Sequence, residues 1–380
     1  MRARAQTIAR CSRTFARRDC CGRPARFPSW TSSEKTMKTI KTFDTTLRDG
    51  EQGIGFLLDH ADKWRVFEAV ASIEPDYIEL GYPASSEAEY AFVERAAVHL
   101  RRHTRSEPVA FARLAPGDVE RAADSLRASG GIVQLLGVGS EIHLLRKRRI
   151  DEAAAHIELI AAIERVKSRG ELAPAVIFED ASRADPAFLK RQVAVALEAG
   201  ASMITYADTV GYCTPAEVET AMRGLVAEFG ESVSWGVHFH NDLGLATANT
   251  LFGVRAGADV VHATLGGIGE RAGNCALEEI YACLLYKGEQ YGAEVKLDAH
   301  ALVAACEQVF RYADKPIPSN KPVIGEHVFS TAAGIHQDGI LKDPQCYEYV
   351  EAARFGRSRR FVTNRLSSSK LTEAALHEGA

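Results

Sequence analysis

The chain has 380 residues, of which 46% are hydrophobic and 25% charged, as in an ordinary globular protein with a sizeable core. A net charge of −4 and a pI near 6.3 argue against a nucleic-acid-binding protein. The sequence contains no apolar run of the roughly 18 residues that a membrane-spanning helix needs. The eight cysteines show no C-x-x-C spacing, so we expect reduced thiols and a cytoplasmic protein.

The first 36 residues differ from the rest of the chain. They hold eight arginines and one lysine against only Asp19 and Glu34, and they lack apolar periodicity. Such a start is typical of a disordered extension, of translated sequence upstream of the real initiator, or of a transit peptide. Met37 would be a natural initiator, and we expect residues 1–36 to be a basic, disordered extension with no part in the chemistry.

From residue 38 onward, strand-like and helix-like segments alternate. Short β-branched or aromatic runs predict strands at 39–47, 77–82, 108–114, 132–138, 174–179, 203–208, 233–240 and 260–265. Amphipathic stretches predict helices at 60–73, 117–129, 151–169, 185–199 and 215–229. This is the pattern of an α/β fold, a (β/α)₈ TIM barrel. The main rival is an open doubly wound sheet, which a glycine-rich phosphate loop after the first strand would favour. The polar run Leu-Arg-Asp-Gly-Glu-Gln stands there instead.

The barrel prediction places polar groups together, because functional residues of this fold lie at the C-terminal ends of the strands. Nearly every predicted strand delivers one or two such groups to this rim: Arg48, Asp49, Glu79, Arg113, Ser140, Glu179, Asp180, Asp208, Thr209, His238, His240, Glu270 and Asn274. We therefore expect the functional site at this rim.

His238 and His240 lie at the end of the seventh predicted strand. Two histidines two residues apart on a strand face the same side, roughly 6.6 Å apart along it, so both imidazoles can reach one metal ion. A lone H-x-H also fits two surface or core histidines. The acidic element at 44–52 favours the metal, with Asp49 as the carboxylate, although Asp49 also fits a turn residue before Gly50. Two imidazoles and one carboxylate form a ligand set for a divalent ion with open positions.

Such an ion could chelate a 2-oxo acid through its keto oxygen and its carboxylate. Arg48 could stabilise the alkoxide that forms when a carbon nucleophile attacks, or it could form a salt bridge at the rim. Glu179 could accept a proton directly or orient a histidine. The structural alternative for Glu179 is an ion pair with Arg113 or Arg183.

Six ordered motifs carry a family resemblance, at residues 44–52, 178–183, 207–211, 238–245, 267–275 and 334–339. With them, the chain resembles the 2-isopropylmalate synthase and homocitrate synthase family of the DRE-TIM metallolyase superfamily. The resemblance implies a TIM barrel at 37–290 and a smaller C-terminal helical subdomain at 291–380 that contributes to the active site, without a regulatory domain. It also implies a divalent metal (Mg, Mn, Zn or Co), a homodimer, and Claisen condensation of acetyl-CoA with a 2-oxo acid followed by thioester hydrolysis.

The resemblance also implies roles for individual residues. Asp49, His238 and His240 would be metal ligands, and Arg48 and Thr209 would contact the 2-oxo acid. Glu179 would assist proton transfer. His336 would reach the neighbouring subunit's active site and help to deprotonate the methyl group of acetyl-CoA, with Tyr347 nearby.

The 2-oxo acid stays open. Some motifs resemble isopropylmalate synthases and others homocitrate synthases, while a relative acting on another 2-oxo acid, or a lyase of the 3-hydroxy-3-methylglutaryl-CoA lyase kind, are further alternatives. Gln134 stands on the fourth strand where many members of both synthase groups carry a histidine facing the substrate side chain. A buried amide without a partner costs roughly 1–3 kcal/mol, so we expect the favoured substrate to offer a polar group, or a water-bridged one, at this point.

Overall fold

The structure, a computed structural model, describes residues 37–56, 58–231 and 233–363. Eight parallel strands form a closed barrel, and their order around it follows the chain. They are β1 Lys41–Asp44, β2 Tyr77–Gly81, β3 Glu107–Arg113, β4 Gly131–Val138, β5 Leu172–Glu179, β6 Met203–Asp208, β7 Ser234–Phe239 and β8 Val260–Ala263. The pairing of β1 with both β2 and β8 closes the barrel, which confirms the predicted TIM barrel and excludes the open sheet.

Helices surround the barrel and continue beyond it. They are α1 His60–Ser72, α2 Glu87–His103, α3 Pro116–Ser125, α4 Glu152–Lys167, α5 Pro186–Ala199, α6 Pro215–Phe229, α7 Ala246–Arg255, α8 Leu277–Tyr291, α9 Ala299–Tyr312 and α10 Gly334–Lys342. Side-chain caps fix several helix starts; Asp185, for example, accepts hydrogen bonds from two backbone N–H groups of α5.

The first predicted strand, 39–47, is longer than the observed β1. The strand ends at Asp44 because the buried Asp44 carboxylate accepts hydrogen bonds from both the backbone N–H and the hydroxyl of Thr46, which turns the chain. The Thr46 hydroxyl oxygen in turn accepts from the backbone N–H of Leu265, after β8. This turn therefore fixes the segment that carries Arg48 and Asp49 against the neighbouring strand end.

The barrel interior changes character along its axis. A small apolar cluster fills the lower part: Phe43, Val109, Ile132, Ala175, Met203 and Val260. A much larger apolar cluster lies between the strands and the helices. Because side chains alternate along a strand, the next inward-facing positions above the inner cluster are Phe111, Gln134, Ile177, Thr205 and His262. Polar groups thus begin halfway up the barrel and concentrate at the C-terminal ends of the strands.

The segment after the barrel is fastened to it. Helix α9 packs on α1, and the Lys321 ammonium group lies 2.5 Å from Glu279 and 3.5 Å from the buried Glu278 at the start of α8. Beyond it, the buried Gln337 amide donates to the carbonyl oxygens of Thr331 and Val362. The predicted boundary between residues 290 and 291 stays a prediction.

The predictions for residues 1–36 fall outside the described part of the chain. Among the described residues, no helix combines the length and apolar character needed to cross a bilayer. The five cysteines of that part are free thiols.

Candidate metal centre and active site

Asp49, His238 and His240 converge at the mouth of the barrel. Their ligand atoms lie within 4.8 Å of one another, and the three residues are 2%, 4% and 6% exposed. The loop after β1 supplies the carboxylate, while β7 and the residue after it supply the imidazoles. The alternation of β7 directs both rings to one side, and their Nε2 atoms are 3.3 Å apart.

The donor atoms fit a divalent ion. The Oδ2 atom of Asp49 is 3.3 Å from His238 Nε2 and 3.8 Å from His240 Nε2. Ligands about 2.0–2.2 Å from one shared ion are separated by about 3–3.5 Å, close to these values. Asp49 Oδ1 and both Nδ1 atoms are buried without a hydrogen-bond partner in the described chain. That this cluster binds a metal stays a prediction, which the convergence of Asp49 Oδ2 and the two Nε2 atoms favours.

The electrostatics of the cluster suit a cation. Burial alone would raise the pKa of Asp49, but Arg48 and the two histidines outweigh it and hold that pKa well below its usual range. Burial, followed by repulsion from His238, lowers the pKa of His240 to about 4. At neutral pH the site therefore offers an ionised carboxylate and a neutral His240 imidazole, which are the protonation states that metal coordination requires.

Arg48 is held by a buried carboxylate that the sequence predictions gave no role. Its Nε donates to Glu79 Oε2 over 2.7 Å, one terminal nitrogen is 3.3 Å from Asp49, and the guanidinium lies over the Phe111 ring. Glu79 also accepts from Thr45, and its Oε1 accepts from the Gln134 amide nitrogen over 2.8 Å. Arg48 therefore forms a salt bridge, as one of the two alternatives proposed, while stabilisation of an alkoxide stays a prediction.

Gln134 is fully buried on β4, and only half of its amide is paired. The Nε2 group donates to Glu79, while Oε1 has no partner among the described residues. The amide thus leaves an acceptor oxygen unpaired in the barrel interior. The proposed contact with a substrate side chain stays a prediction, and the unpaired oxygen could accept from a donating group or from a bridging water.

Glu179 ends β5 and pairs with neither of the arginines that the sequence suggested. Arg113 pairs with Asp118, and Arg183 pairs with Asp180. The Glu179 carboxylate instead contacts two residues of the segment between β4 and α4. Lys147 Nζ lies 2.7 and 2.5 Å from its two oxygens, and His143 Nδ1 lies 3.1 Å from Oε2.

Thr209, which follows β6, lies close to Glu179 and its two partners. Its hydroxyl oxygen accepts a hydrogen bond from the backbone N–H of Asp180 over 2.9 Å, so the hydroxyl hydrogen remains a donor. Its carbonyl oxygen accepts from Arg271, whose guanidinium also pairs with Asp242.

His336 and Tyr347 lie on the C-terminal segment, next to each other. Their rings stack with centroids 4.2 Å apart, and both side chains are exposed. Within the described part of one chain, neither ring contacts Glu179 or the Asp49–His238–His240 cluster. Within one chain, the structure therefore brings Asp49, His238 and His240 together and brings His336 and Tyr347 together, but it does not join these two groups.

Sequence reasoning missed the importance of Glu79, His143 and Lys147. The signal for His143 was present, because it stands three residues after Ser140, which had been placed at the rim. The signal for Glu79 was its position as an acid inside the predicted second strand, where an unpaired carboxylate is costly. Asn274, also predicted at the rim, forms an isolated backbone β-bridge with His240, and its amide nitrogen donates to the carbonyl oxygen of Ile268.

Comparison with known protein families gives a second line of evidence on the family to which this chain belongs. Residues 39–309 match the family described as HMGL-like, and residues 323–378 match the family described as "homocitrate synthase post-HMGL domain-like". The first match spans the barrel and the site described above. The second includes His336 and Tyr347.

Curated relatives include a putative (R)-citramalate synthase from Methanopyrus kandleri, 38% identical over 85% of this chain and 62% of the relative. A probable 2-isopropylmalate synthase from Ignicoccus hospitalis is 37% identical over 90% of this chain and 83% of the relative. A 2-isopropylmalate synthase from Pyrococcus furiosus is 37% identical over 84% of this chain and 64% of the relative. The chain thus spans less than two thirds of the length of two of these three proteins.

Solved structures support the fold. Hydroxymethylglutaryl-CoA lyase from Pseudomonas aeruginosa has a TM-score of 0.61 at 19% identity, covering 74% of this chain and 96% of the lyase chain. The enzyme from Brucella melitensis has a TM-score of 0.62 at 18% identity, covering 73% of this chain and all of the lyase chain. At such low identity these likenesses concern the barrel alone. The long family match and the identity to full-length relatives show that the chain belongs to the HMGL-like family, in the branch that contains the 2-isopropylmalate synthases and citramalate synthases.

Proposed function

We propose that this chain catalyses the metal-dependent condensation of acetyl-CoA with a 2-oxo acid, releasing CoA and a 2-alkylmalate. The observation that carries the proposal is the buried cluster of Asp49, His238 and His240 with Arg48 beside it at the barrel mouth. A divalent ion bound there would supply Lewis-acid polarisation of the keto carbonyl. The relatives named 2-isopropylmalate synthase and citramalate synthase support this reaction class.

Arg48 and Thr209 orient the 2-oxo acid in this proposal. Glu79 fixes the Arg48 side chain through Nε, so the terminal nitrogens point toward the mouth with little freedom. A guanidinium held in this way stabilises the oxygen that becomes an alkoxide when the new carbon–carbon bond forms. The free hydroxyl hydrogen of Thr209 would donate to the carboxylate of the same substrate.

The proton of the acetyl methyl group goes to His336 of a second subunit. This imidazole is exposed, and within the described residues of one chain no contact joins it to the Asp49–His238–His240 cluster, which supports delivery by a partner chain. The resulting carbanion attacks the keto carbon, and water then hydrolyses the thioester and releases CoA. Tyr347, stacked on His336, would fix the plane of the ring.

Exposed apolar residues around His336 support a covered surface. Three apolar residues of one short segment are exposed: Ile335 is 78% exposed, Tyr349 60% and Leu341 45%. Where exposed apolar residues form a large contiguous patch, they mark an interaction site. We therefore propose a homodimer in which this segment covers the barrel mouth of the partner.

Two substrates deserve equal testing, because isopropylmalate and citramalate synthases are similarly close relatives. Their products differ only in the alkyl group on the tertiary carbon, isopropyl or methyl. Homocitrate synthase stays an alternative, favoured by the match at 323–378. It would require the acceptor oxygen of Gln134 to meet a donor or a water, since the side chain of 2-oxoglutarate carries a carboxylate.

The test is CoA release from acetyl-CoA with pyruvate, 2-oxoisovalerate and 2-oxoglutarate as separate substrates. We expect turnover with at least one of them after loading with Mg²⁺, Mn²⁺, Zn²⁺ or Co²⁺. The product is identified by mass as the corresponding alkylmalate. Cleavage of 3-hydroxy-3-methylglutaryl-CoA, with no condensation of any 2-oxo acid, would contradict the proposal in favour of a lyase.

A further inference from the structure

The segment between β4 and α4 has an unusual backbone at the barrel mouth. Residues His143–Arg148 form a single π-helical turn, and Arg149 follows in the left-handed conformation with φ 56°. Both features are less stable than regular helix, and both concentrate at functional sites. The side chains of this turn are therefore candidates for a functional role.

The turn directs two of its side chains to Glu179. In a turn of this width, His143 and Lys147 reach the same carboxylate, one through Nδ1 at 3.1 Å and the other through Nζ at 2.5 Å. Glu179 is therefore ion-paired at a site where its side chain is only 21% exposed. Arg48 is a more distant positive charge across the mouth, and Arg113, which lines the same cavity as Glu179, is paired with Asp118.

His143 itself is held from two sides. Its backbone N–H donates to the Ser140 hydroxyl, and that hydroxyl donates to the buried Asp180 carboxylate. The imidazole Nε2 is 3.7 Å from the same Asp180 carboxylate. The backbones also meet closely, because Gly139 donates to the carbonyl oxygen of Glu179 and leaves no room for a Cβ atom. The turn and the end of β5 thus form one rigid unit.

These contacts decide the charge of Glu179. Burial alone would raise its pKa, but the hydrogen bonds from His143 and Lys147 outweigh burial and lower it. A carboxylate that stays ionised and accepts from two donors is a weak proton acceptor. It keeps unused lone pairs, however, because an ionised carboxylate has about four acceptor sites. Such a group can orient an imidazole and stabilise the imidazolium that forms.

We propose that His143 and Lys147 are positioning residues that hold Glu179 ionised and oriented, so that Glu179 aligns the proton-accepting imidazole of His336 and does not take the proton itself. This inference rests on the proposed condensation and names the residues that regulate its proton transfer. The methyl proton passes to His336, the C–H electron pair forms the new carbon–carbon bond, and Glu179 stays a carboxylate throughout.

The first experiment measures kcat and KM against pH for Lys147→Met, Lys147→Arg, His143→Ala and His143→Gln. Loss of Lys147 should move the acidic limb of kcat to higher pH by about one unit, which lowers turnover below the limb about tenfold. Lys147→Arg and His143→Gln retain a donor and should restore most of the parent profile, while the KM of the 2-oxo acid stays within about twofold if only the proton transfer is affected. Arg146→Met is the matched control, because Arg146 lies in the same turn, is exposed, and forms no ion pair within the described residues.

A second measurement separates this inference from the proposed function. The carboxyl ¹³C resonance of Glu179, assigned by its loss in Glu179→Gln, reports ionisation without turnover. Its midpoint should lie below the ordinary glutamate value in the parent and should rise in Lys147→Met. An unchanged midpoint and an unchanged kcat profile in Lys147→Met and His143→Ala would overturn the inference, even in an active enzyme. Absence of condensation with every 2-oxo acid would reject the proposed function, while the titration would still decide the charge of Glu179.

Discussion

The two predicted halves of the active site differ in how completely one chain builds them. The cluster of Asp49, His238 and His240 is almost fully buried, and strands on both sides fix it. The His336–Tyr347 pair is exposed, with Tyr347 46% accessible, and it lies on a short helix and the turn that follows. The barrel half is therefore preorganised within one chain, whereas the other half is exposed and would be covered only in the proposed dimer.

This difference suggests a division of tasks. Orientation of a substrate demands side chains held to within a fraction of an ångström, and barrel strands supply that rigidity. Delivery of the proton acceptor by a second chain would complete the site only upon assembly and would exclude water at the same time.

Loss of one cluster residue should abolish turnover. Changes of groups that only support metal ligands cost about 10–100-fold, so His238→Ala and Asp49→Ala should cost more than that. We expect the bound divalent metal, measured by elemental analysis, to fall from one per chain to a small fraction, with the barrel still folded by circular dichroism. His103→Ala, an exposed histidine at the end of α2, is the control. A parent rate in metal-stripped buffer would refute the metal centre.

Mixing of two inactive variants should recover activity if the site is shared. His336→Ala and Asp49→Ala each disable both sites of their own dimer. In a one-to-one mixture about half of the dimers are mixed, and each has one intact site of two, so about a quarter of the parent activity should return. Native mass spectrometry must show the mixed dimers. Their presence without any recovered turnover would place His336 outside the partner's site.

The two halves also differ in how far the sequence predicts them. Period-two alternation and the rule that barrel sites lie at strand ends were sufficient to place Asp49, His238 and His240 together. The partners of Glu179 escaped prediction, because His143 and Lys147 lie in a turn after β4 that hydrophobic periodicity did not mark, and they meet Glu179 at the end of the next strand. The partner of Gln134 also escaped, since Glu79 lies two strands away and 55 residues earlier. Such pairs depend on barrel curvature and register, which local sequence does not encode.

The smallest expected effect concerns Gln134, whose amide nitrogen supports Glu79 and, through it, Arg48. Gln134→Leu leaves Glu79 Oε1 without that donor, and a buried unpaired acceptor costs about 1–3 kcal/mol of stability. We therefore expect a lower Tm together with a lower kcat/KM for every 2-oxo acid, because Arg48 loses part of its support.

Gln134→His separates support from selection, since an imidazole can still donate to Glu79 but no longer presents an amide oxygen to the interior. If Gln134 selects the substrate, the ranking of pyruvate, 2-oxoisovalerate and 2-oxoglutarate by kcat/KM should change in Gln134→His, while Tm stays near the parent value. An unchanged ranking in both variants would show that Gln134 only supports Glu79. In that case the apolar side chain of Phe111, which is paired with Gln134 in the register of β3 and β4, would help to set the size of the accepted side chain.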